Sequence, residues 1–389
     1  MPTRGLFATA LGLCTALALV GCTSAKEPPE LDREPNQAGT ELDAVDGSDM
    51  QLPLIVEPLE LVEPGWDLDV KHLGDVFLSA GIGDERLDFS AVDSNGTTLW
   101  QAQRPRGCTG FTVTVDSEGN PLAVLTDSAS DQSCSTEVTA SAYDLESGEQ
   151  RWGPTEVPGP MQGPGTVFSP ADDGDSDGGG TVALDPDTGE VADQGASDSR
   201  VLGEHQGLIL SVDQDTLSAT DGAETAWEIP LSDHDWKAEG LSAFPDQVDG
   251  LIHLDAKDGS GPVIDAQSGE VLDDSASEIA QDANSQMVIT RDAQGLTVID
   301  ATGTNELPVS LPESVVLEAA VGGLIYLREG ETLRVHNAAT GSIARGYPAQ
   351  GSGTVAVPDV FTSKGLGTLR AGDRTLLATD RVVEESAQG

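Results

Sequence analysis

The segment Ala142-Tyr143-Asp144-Leu145-Glu146-Ser147-Gly148-Glu149-Gln150-Arg151-Trp152 decides the fold of this chain. It holds a small residue, an Asp two positions later, a Gly four residues after the Asp, and a Trp four residues after the Gly. Asp side chains bond to nearby backbone amides and Gly adopts positive φ, so Asp-x-x-x-Gly is typical of a tight turn between strands. The segment therefore predicts a β-hairpin with the Trp on its second strand.

The same pattern recurs along the chain from residue 75 onward. The clearest second copy is Ala91-Val92-Asp93 with Gly96 and Trp100, and a shortened copy ends at Trp227. The Asp or Asn of successive copies is separated by about 41 residues on average, which is a period typical of four-stranded propeller blades. These positions are residues 93, 144, 185, 221, 265, 300, 337 and 380. The repeat therefore predicts an all-β chain folded as an eight-bladed β-propeller, or a seven-bladed one if a weak copy is an insertion.

Short apolar runs and the tryptophans extend this prediction to the packing of the blades. Runs such as residues 76–78 and 208–210 indicate inner strands buried between neighbouring blades. Three tryptophans that follow the turn glycines are expected to fill the interfaces between blades: Trp100, Trp152 and Trp227. Residues 52–62 are extended in character and belong to no repeat, so they could complete the last blade as a clasp between the two ends of the chain.

The motif Ala-x-Asp-x-x-(Ser/Thr)-Gly-(Glu/Lys)-x-x-Trp resembles the repeat of quinoprotein-type (PQQ-like) β-propellers, and residues 142–152 and 91–100 match it closely. The resemblance covers residues 75–385 and implies eight blades. Quinoprotein dehydrogenases of this class carry two adjacent cysteines beside the cofactor, whereas no two cysteines are adjacent here. We therefore expect a non-catalytic binding or scaffold module without a quinone, and a quinone- or calcium-dependent exported dehydrogenase is the alternative.

The first 22 residues indicate export. Arg4 precedes an apolar run over residues 6–20, which is shorter than the roughly 20 residues of a membrane-spanning helix. Leu19-Val20-Gly21-Cys22 resembles the lipobox of bacterial lipoproteins, which implies cleavage before Cys22 and a lipid on its sulfur. We expect residues 1–21 to be a lipoprotein signal peptide and the chain to be held at the extracytoplasmic face of the cell membrane. A secreted protein whose signal happens to end near a cysteine is the alternative.

The region after the predicted anchor is rich in proline and carboxylates and has little apolar periodicity. Such a segment buries too little surface to offset its ordering entropy. We therefore expect residues 22–50 to be the lipid anchor and a disordered acidic linker, and residues 51–389 to be the propeller domain.

The charge of the chain restricts its partners. The formal net charge is −48, from 67 acidic and 19 basic side chains. Phosphate backbones and anionic lipid headgroups would be repelled, so we expect no nucleic-acid binding and no membrane contact beyond the lipid anchor. The expected partner is an envelope protein or a glycan bound by the propeller loops, and the propeller is expected to be a monomer. Scarce lysine and abundant Asp favour a GC-rich Gram-positive host over a salt-adapted one.

Two of the four cysteines remain after the signal peptide and the anchor are assigned. Cys108 and Cys134 would then lie in an exported domain, where disulfides persist, and we predict that they form one. Free thiols serving a nucleophilic enzyme are the alternative.

One acidic motif has the spacing of a cation site. Asp173, Asp175 and Asp177, followed by Gly178, could direct three carboxylates at one calcium ion. The acidic residue expected at the twelfth position is Leu184, so a solvated acidic hairpin is the favoured alternative. Among the five histidines, His234-Asp235 could form an acid/base pair, although adjacent loop residues are more often only solvated. The sequence predicts no catalytic residues.

Overall fold

The computed structural model describes residues 31–107, 109–128, 138–169, 181–193, 199–222, 224–245, 248–257 and 259–382. These residues are mostly strands, which are grouped into eight sheets in chain order. The chain is an eight-bladed β-propeller, as the repeat predicts, and the seven-bladed alternative is wrong.

The strands follow the repeat from one blade to the next. The N-terminal segment supplies three strands: β1 (Asn36–Glu41), β2 (Met50–Gln51) and β3 (Leu59–Val62). Blade 1 contains β4 (Lys71–Leu73), β5 (Val76–Ile82), β6 (Arg86–Asp93) and β7 (Thr97–Pro105). Blade 2 contains β8 (Phe111–Val115), β9 (Pro121–Ser128), β10 (Val138–Asp144) and β11 (Gln150–Val157). Blade 3 contains β12 (Val167–Phe168), β13 (Val182–Leu184) and β14 (Val191–Asp193).

The remaining blades continue in the same order. Blade 4 contains β15 (Arg200–His205), β16 (Leu208–Val212), β17 (Thr216–Asp221) and β18 (Glu224–Pro230), and two short 3-10 helices follow it: η1 (Leu231–Asp233) and η2 (Ala238–Gly240). Blade 5 contains β19 (Ser242–Ala243), β20 (Leu251–Asp255), β21 (Gly261–Asp265) and β22 (Val271–Ala276). Blade 6 contains β23 (Glu278–Asp282), β24 (Met287–Arg291), β25 (Leu296–Asp300) and β26 (Gly303–Leu307). Blade 7 contains β27 (Val315–Val321), β28 (Leu324–Glu329), β29 (Thr332–Asn337) and β30 (Ile343–Tyr347), and blade 8 contains β31 (Thr354–Phe361), β32 (Gly367–Ala371) and β33 (Arg374–Val382).

Each blade is an antiparallel meander of four strands, which we name A to D from the propeller axis outward. In blade 3 the A strand is reduced to a single bridge between Met161 and Phe168. The A–B and C–D turns of all blades lie at the same end of the strands, because the strands alternate in direction. We call this end of the propeller the turn face.

The ring is closed by the N-terminal segment, as predicted for residues 52–62. Strand β3 pairs antiparallel with β33, with Leu61 opposite Ala378, and so supplies the outer strand of blade 8. Strand β2 pairs parallel with the start of β31. Because β3 and β33 come from opposite parts of the chain and share one sheet, neither strand can leave without opening the ring.

The prediction of a disordered linker through residue 50 is wrong for part of that segment. Strand β1 pairs antiparallel with β7 and gives blade 1 a fifth strand. Nearly all its side chains are exposed, so it shows no apolar pattern that sequence analysis could detect. Backbone pairing and contacts to blade 2 hold the segment in place: Arg33 pairs with Asp127, and the Gln37 amide donates to the Ser147 carbonyl.

The apolar core lies between neighbouring blades. Between blades 1 and 2, Leu78 and Trp100 pack with Leu125 and Tyr143, and none of these side chains is more than 1% exposed. The B strands are buried on both faces in this way, which is why they appear in the sequence as short continuous apolar runs.

The repeated Asp residues form the turns that the sequence predicts. The Asp144 carboxylate accepts hydrogen bonds from the Ser147 amide and hydroxyl, both at 2.8 Å, and Gly148 has a φ of 69°. Asn337 accepts the corresponding bonds of Thr340 at 3.1 Å. These residues therefore have a structural role in the C–D turns.

Candidate functional site at the turn face

The three repeat tryptophans seal three of the blade interfaces. Each lies on a D strand opposite a C-strand alanine and donates its indole N–H to the next blade. The indole of Trp100 donates to the Leu145 carbonyl at 2.8 Å, that of Trp152 to Pro186 at 2.6 Å, and that of Trp227 to Ala266 at 2.9 Å. The acceptor is always the residue after the repeat Asp, so the contact is part of the repeat itself.

A glycine of the next blade makes room for each tryptophan ring. A Cβ atom on Gly189 would lie 2.3 Å from Trp152, and one on Gly269 would lie 2.7 Å from Trp227. Both distances are too short for any side chain. The turn glycines are therefore needed for close packing as well as for their positive φ.

The interface between blades 5 and 6 lacks this tryptophan. Trp227 stands opposite Ala219 in blade 4, and the corresponding pair in blade 5 is Asp273 opposite Val263. The Asp273 carboxylate accepts the Thr290 hydroxyl of blade 6 at 2.6 Å. On the blade 6 side, a Cβ atom on Gly303 would meet no atom within 4 Å. The indole is thus absent here, as it is from blades 3, 6 and 7, where Asp193, Asn305 and Arg345 occupy its position.

A cavity of about 520 Å³ lies at this open interface. Its apolar floor is made of Leu251, Leu272, Val288 and Ile299, from blades 5 and 6. It extends to the axis, where A strands or A–B turns of blades 1, 6 and 8 contribute His72, Gln281 and Thr362, among others. Four blades therefore meet at one opening, with a size typical of ligand pockets.

The rim of the cavity is acidic and rich in amides. Its carboxylates are Asp249, Asp265 and Asp300, and its amides are Gln267, Gln281 and Gln286. Hydrogen bonds from the hydroxyl and the amide of Thr302 hold the pKa of the Asp300 carboxyl below its usual value. Asp300 therefore remains charged at neutral pH.

Hydrogen bonds between the turns position the rim. The Gln206 amide of blade 4 donates to Asp249 at 3.0 Å, and the Asn284 amide of blade 6 donates to the Ser363 carbonyl of blade 8 at 2.9 Å. Lys364, which follows Ser363, pairs with Asp75 of blade 1. The cavity is thus bounded by turns that are bonded to one another across blades.

A second polar group connects the opposite side of the ring. Glu204, on the A strand of blade 4, is fully buried and accepts the Thr114 hydroxyl of blade 2 at 2.6 Å and the Thr166 amide of blade 3 at 3.0 Å. Burial raises the pKa of the Glu204 carboxyl. Next to it, burial lowers the pKa of His205 to about 4, so this imidazole is neutral at physiological pH. This cluster holds blades 2, 3 and 4 together.

A smaller cavity of about 320 Å³ lies between blades 2 and 3. It is lined by charged groups that already have partners: Asp116 pairs with Arg151, and Asp187 accepts the Ser117 amide at 2.7 Å. We therefore consider the cavity between blades 5 and 6 the better candidate site.

The site residues predicted from the sequence lie outside the described residues. They are the lipidated Cys22, the disulfide pair Cys108 and Cys134, and the calcium ligands Asp173, Asp175 and Asp177. Within the described part of the chain, no group of three or more His, Cys, Asp or Glu side chains could hold a metal ion. No helix in that part is long and apolar enough to cross a bilayer.

His234 has a different partner from the one considered in the sequence. Its Nδ1 lies 2.7 Å from the carboxylate of Asp274 in blade 5, and its ring stacks on Trp236 at 4.3 Å. The contact fixes the loop after blade 4 against the outer strand of blade 5. No sequence signal indicated it, since the two residues are forty positions apart.

Comparisons with known proteins support no closer assignment. No family model matches the chain, and no curated protein matches it. Solved structures with similar folds include a chain of the mitotic checkpoint complex, at 12% identity and a TM-score of 0.36, covering 97% of this chain and 99% of that one. A second is Sqt1 of Saccharomyces cerevisiae, at 12% identity and a TM-score of 0.35, covering 83% of this chain and 97% of that one. A third is the β-propeller domain of Cps50 (Swd1) of Myceliophteria thermophila, at 10% identity and a TM-score of 0.41, covering 82% of this chain and 99% of that one. The fold assignment therefore rests on the strand topology.

Proposed function

We propose that this protein is a lipid-anchored, non-catalytic binding module of the cell envelope that holds a partner protein at the turn face of its propeller. The observation that carries the proposal is the cavity between blades 5 and 6, where four blades contribute to one polar rim over an apolar floor. Short turns that are bonded to one another carry this rim. Such pre-organised groups lose little conformational entropy when a partner binds.

The anchor would keep this binding surface near the membrane. The backbone of Asp32 already pairs with Gln103 of blade 1, whose amide donates to its carbonyl at 2.7 Å. Asp32 lies ten positions after Cys22, so the connecting chain spans at most about 35 Å when fully extended. A lipid on Cys22 would thus limit the partner to proteins of the membrane or of its immediate surroundings.

Site-specific crosslinking in cells tests the binding role. A photoreactive amino acid replaces Gln267, which is exposed on the cavity rim, and in a control strain it replaces Glu228, which is exposed on the outer strand of blade 4. We expect a discrete crosslinked partner from position 267 that is not obtained from position 228. Identical products from both positions, or none from either, would contradict the proposal.

Two further measurements test the anchor and the absence of catalysis. Cys22→Ala is expected to leave the membrane fraction while the propeller stays folded, and its persistence in the membrane would contradict lipidation.

Dye reduction by the purified protein after incubation with quinone and calcium is expected to stay at background. Sustained turnover would favour the dehydrogenase instead.

A further inference from the structure

We infer that the cavity between blades 5 and 6 binds an extended basic peptide segment of the partner, with an apolar side chain in the crevice and Lys or Arg at the rim. This inference rests on the proposed function and specifies the chemistry of its ligand. Its starting point is the crevice that Leu272 and Ile299 line beside Asp273, the residue that replaces the repeat tryptophan in blade 5. Blades 3, 6 and 7 lack the tryptophan as well, so the exposed apolar lining, and not the missing indole alone, marks this interface.

The crevice has the properties of a pocket for an apolar side chain. Leu272 and Ile299 are only partly buried. Ile264 occupies the same repeat position as Ile299, directly before the repeat Asp, but it lies in the sealed interface between blades 4 and 5 and is fully buried. Val288 and Leu251 form the base of the crevice and are 5% and 3% exposed. An apolar side chain placed against Leu272 and Ile299 would remove their exposed surface from water, which is favourable.

The negative charge of the rim favours a ligand with positive charge. Three carboxylates line the cavity, and the described residues that line it include no Lys or Arg. The turn hydrogen bonds from Thr302 lower the pKa of the Asp300 carboxyl further, and the chain carries a net charge of −48. A cationic ligand is therefore attracted both by the rim and by the field of the whole protein, whereas anionic ligands are repelled.

The amides of the rim favour a peptide. Gln267 and Gln281 each carry a carbonyl oxygen and an NH₂ group, which together match the acceptor and donor of a peptide backbone. The NH₂ group of Gln286 donates to the Ala283 carbonyl at 2.6 Å, so this residue adds a carbonyl oxygen. The cavity runs from the blade interface to the A strands of blades 1 and 6. An extended segment can follow this path, placing alternate side chains in the crevice and at the rim.

Binding of labelled peptides to the purified full chain, measured by fluorescence anisotropy, tests the inference. The probes are a peptide of alternating lysine and leucine, its lysine and serine analogue, and its glutamate and leucine analogue. We expect the lysine and leucine peptide to bind about tenfold more tightly than the serine analogue, as for one buried apolar side chain. Binding should weaken at high ionic strength, and the glutamate peptide should not bind.

Two pairs of variants locate the binding. Asp273→Trp would restore the repeat and fill the crevice, and it is expected to remove the preference for leucine over serine. Its control is Asn305→Trp, at the equivalent exposed position of blade 6, where Pro308 and Val309 already pack on Gly341. This control should bind as the parent chain does.

The second pair removes charge without changing the turns. Asp265→Asn with Asp300→Asn is expected to weaken binding about fivefold, since each exposed ion pair contributes roughly 0.2–1 kcal/mol. Asp93→Asn with Asp144→Asn makes the same change at equivalent turns outside the cavity and should leave binding unchanged. Because Asn337 already forms such a turn, all four substitutions are compatible with the fold.

The outcomes separate this inference from the proposed function. Equal losses in test and control variants would show attraction by the general negative field and overturn the inference, as would tight binding of the neutral or acidic probe. An unchanged preference in Asp273→Trp, with the fold verified by circular dichroism, would also overturn it. If peptide binding fails while position 267 still crosslinks to a partner, the proposed function stands and only the peptide chemistry is wrong.

Discussion

The interface between blades 4 and 5 and the interface between blades 5 and 6 are neighbours built from the same repeat, yet one is sealed and the other is open. In the first, Trp227 fills the space beside Gly269 and donates to the Ala266 carbonyl. In the second, Asp273 takes the place of the tryptophan and reaches only as far as Thr290. The replaced tryptophan and the partly buried Leu272 and Ile299 thus separate an interface that is closely packed from one that borders a cavity.

This comparison explains where a repeat protein can place a site. Eight similar blades would give eight similar interfaces, none of them special. Departures from the repeat distinguish the interfaces. Blades 3, 5, 6 and 7 lack the tryptophan, and between blades 6 and 7 Pro308 and Val309 pack on Gly341 instead, whereas Leu272 and Ile299 stay only partly buried between blades 5 and 6.

The largest expected effect is the loss of a sealing tryptophan. Trp227→Ala removes a large buried side chain and leaves the Ala266 carbonyl without its indole donor, so we expect a loss of about 3–5 kcal/mol in the free energy of unfolding. Leu272→Ala, in the open interface, should cost less than about 2 kcal/mol because its side chain is only partly buried. Urea denaturation of both variants measures the difference. Equal costs would show that the open interface is packed as tightly as the sealed one.

A smaller effect isolates the contact between glycine and tryptophan. Gly189 and Gly372 share a φ of +68°, but a Cβ atom on Gly189 would clash with Trp152, whereas one on Gly372 would meet no atom within 4 Å. Gly372→Ala should therefore show only the backbone cost of about 1 kcal/mol. Gly189→Ala should cost about 2 kcal/mol more, since overpacking a rigid ring adds to the strain. Thermal unfolding compares the two, and similar costs would remove the packing role assigned to Gly189.

A third effect depends on pH and distinguishes polar from apolar contacts. The unfolded chain protonates His205 below its usual pKa of 6.5, but the folded chain does so only near 4. The unfolded state thus binds more protons between these values, and stability falls as the pH falls. Between pH 7 and pH 5 the loss from His205 is about 2 kcal/mol.

His205→Leu tests this assignment, because leucine has a similar size but cannot bind a proton. The position is only 4% exposed, so it accepts an apolar side chain. The unfolding free energy of this variant should fall about 2 kcal/mol less than that of the parent chain between pH 7 and pH 5. The raised pKa of Glu204 acts in the opposite direction, since its carboxyl is more readily protonated in the folded chain, but this effect is common to both proteins. The cost of Trp227→Ala should not change over the same range. Parallel pH profiles for His205→Leu and the parent would contradict the assignment.

The smallest effect concerns the turns that all the interfaces share. Asp144→Asn should change the unfolding free energy by less than about 0.5 kcal/mol, because Asn accepts the same turn hydrogen bonds. Asp144→Ala is the control, and it should cost about 1 kcal/mol or more through the lost bonds of Ser147. If the Asn variant is as unstable as the Ala variant, the charge of Asp144 has a role beyond the turn.

Much of the fold could be predicted from the sequence, because the repeat encodes local chemistry. The spacing of the Asp residues predicted the blades, and the position of Trp100 predicted its place between them. Residues 52–62 were correctly expected to close the ring. Strand β1 was missed because it pairs through its backbone and leaves its side chains exposed, so no apolar pattern marks it.

The candidate site was harder to predict for a physical reason. Asp273 stands four residues after Gly269, as Trp152 stands four residues after Gly148, so the sequence shows directly that the tryptophan of this copy is replaced. The cavity also depends on His72 and Thr362, which are brought together only when the ring closes. Because blades 3, 6 and 7 lack the tryptophan as well, its absence from blade 5 could not by itself point to this interface.

The most direct test of the account is the accessibility of matched cysteines in the sealed and open interfaces. Ile299→Cys and Ile264→Cys place a thiol at the same repeat position, and labelling by a thiol reagent is measured against the parent chain. We predict rapid labelling at position 299, labelling at position 264 only through unfolding, and slow labelling at 299 once Asp273→Trp is added. Equal protection of both thiols would contradict the claim that a missing tryptophan opens the interface between blades 5 and 6.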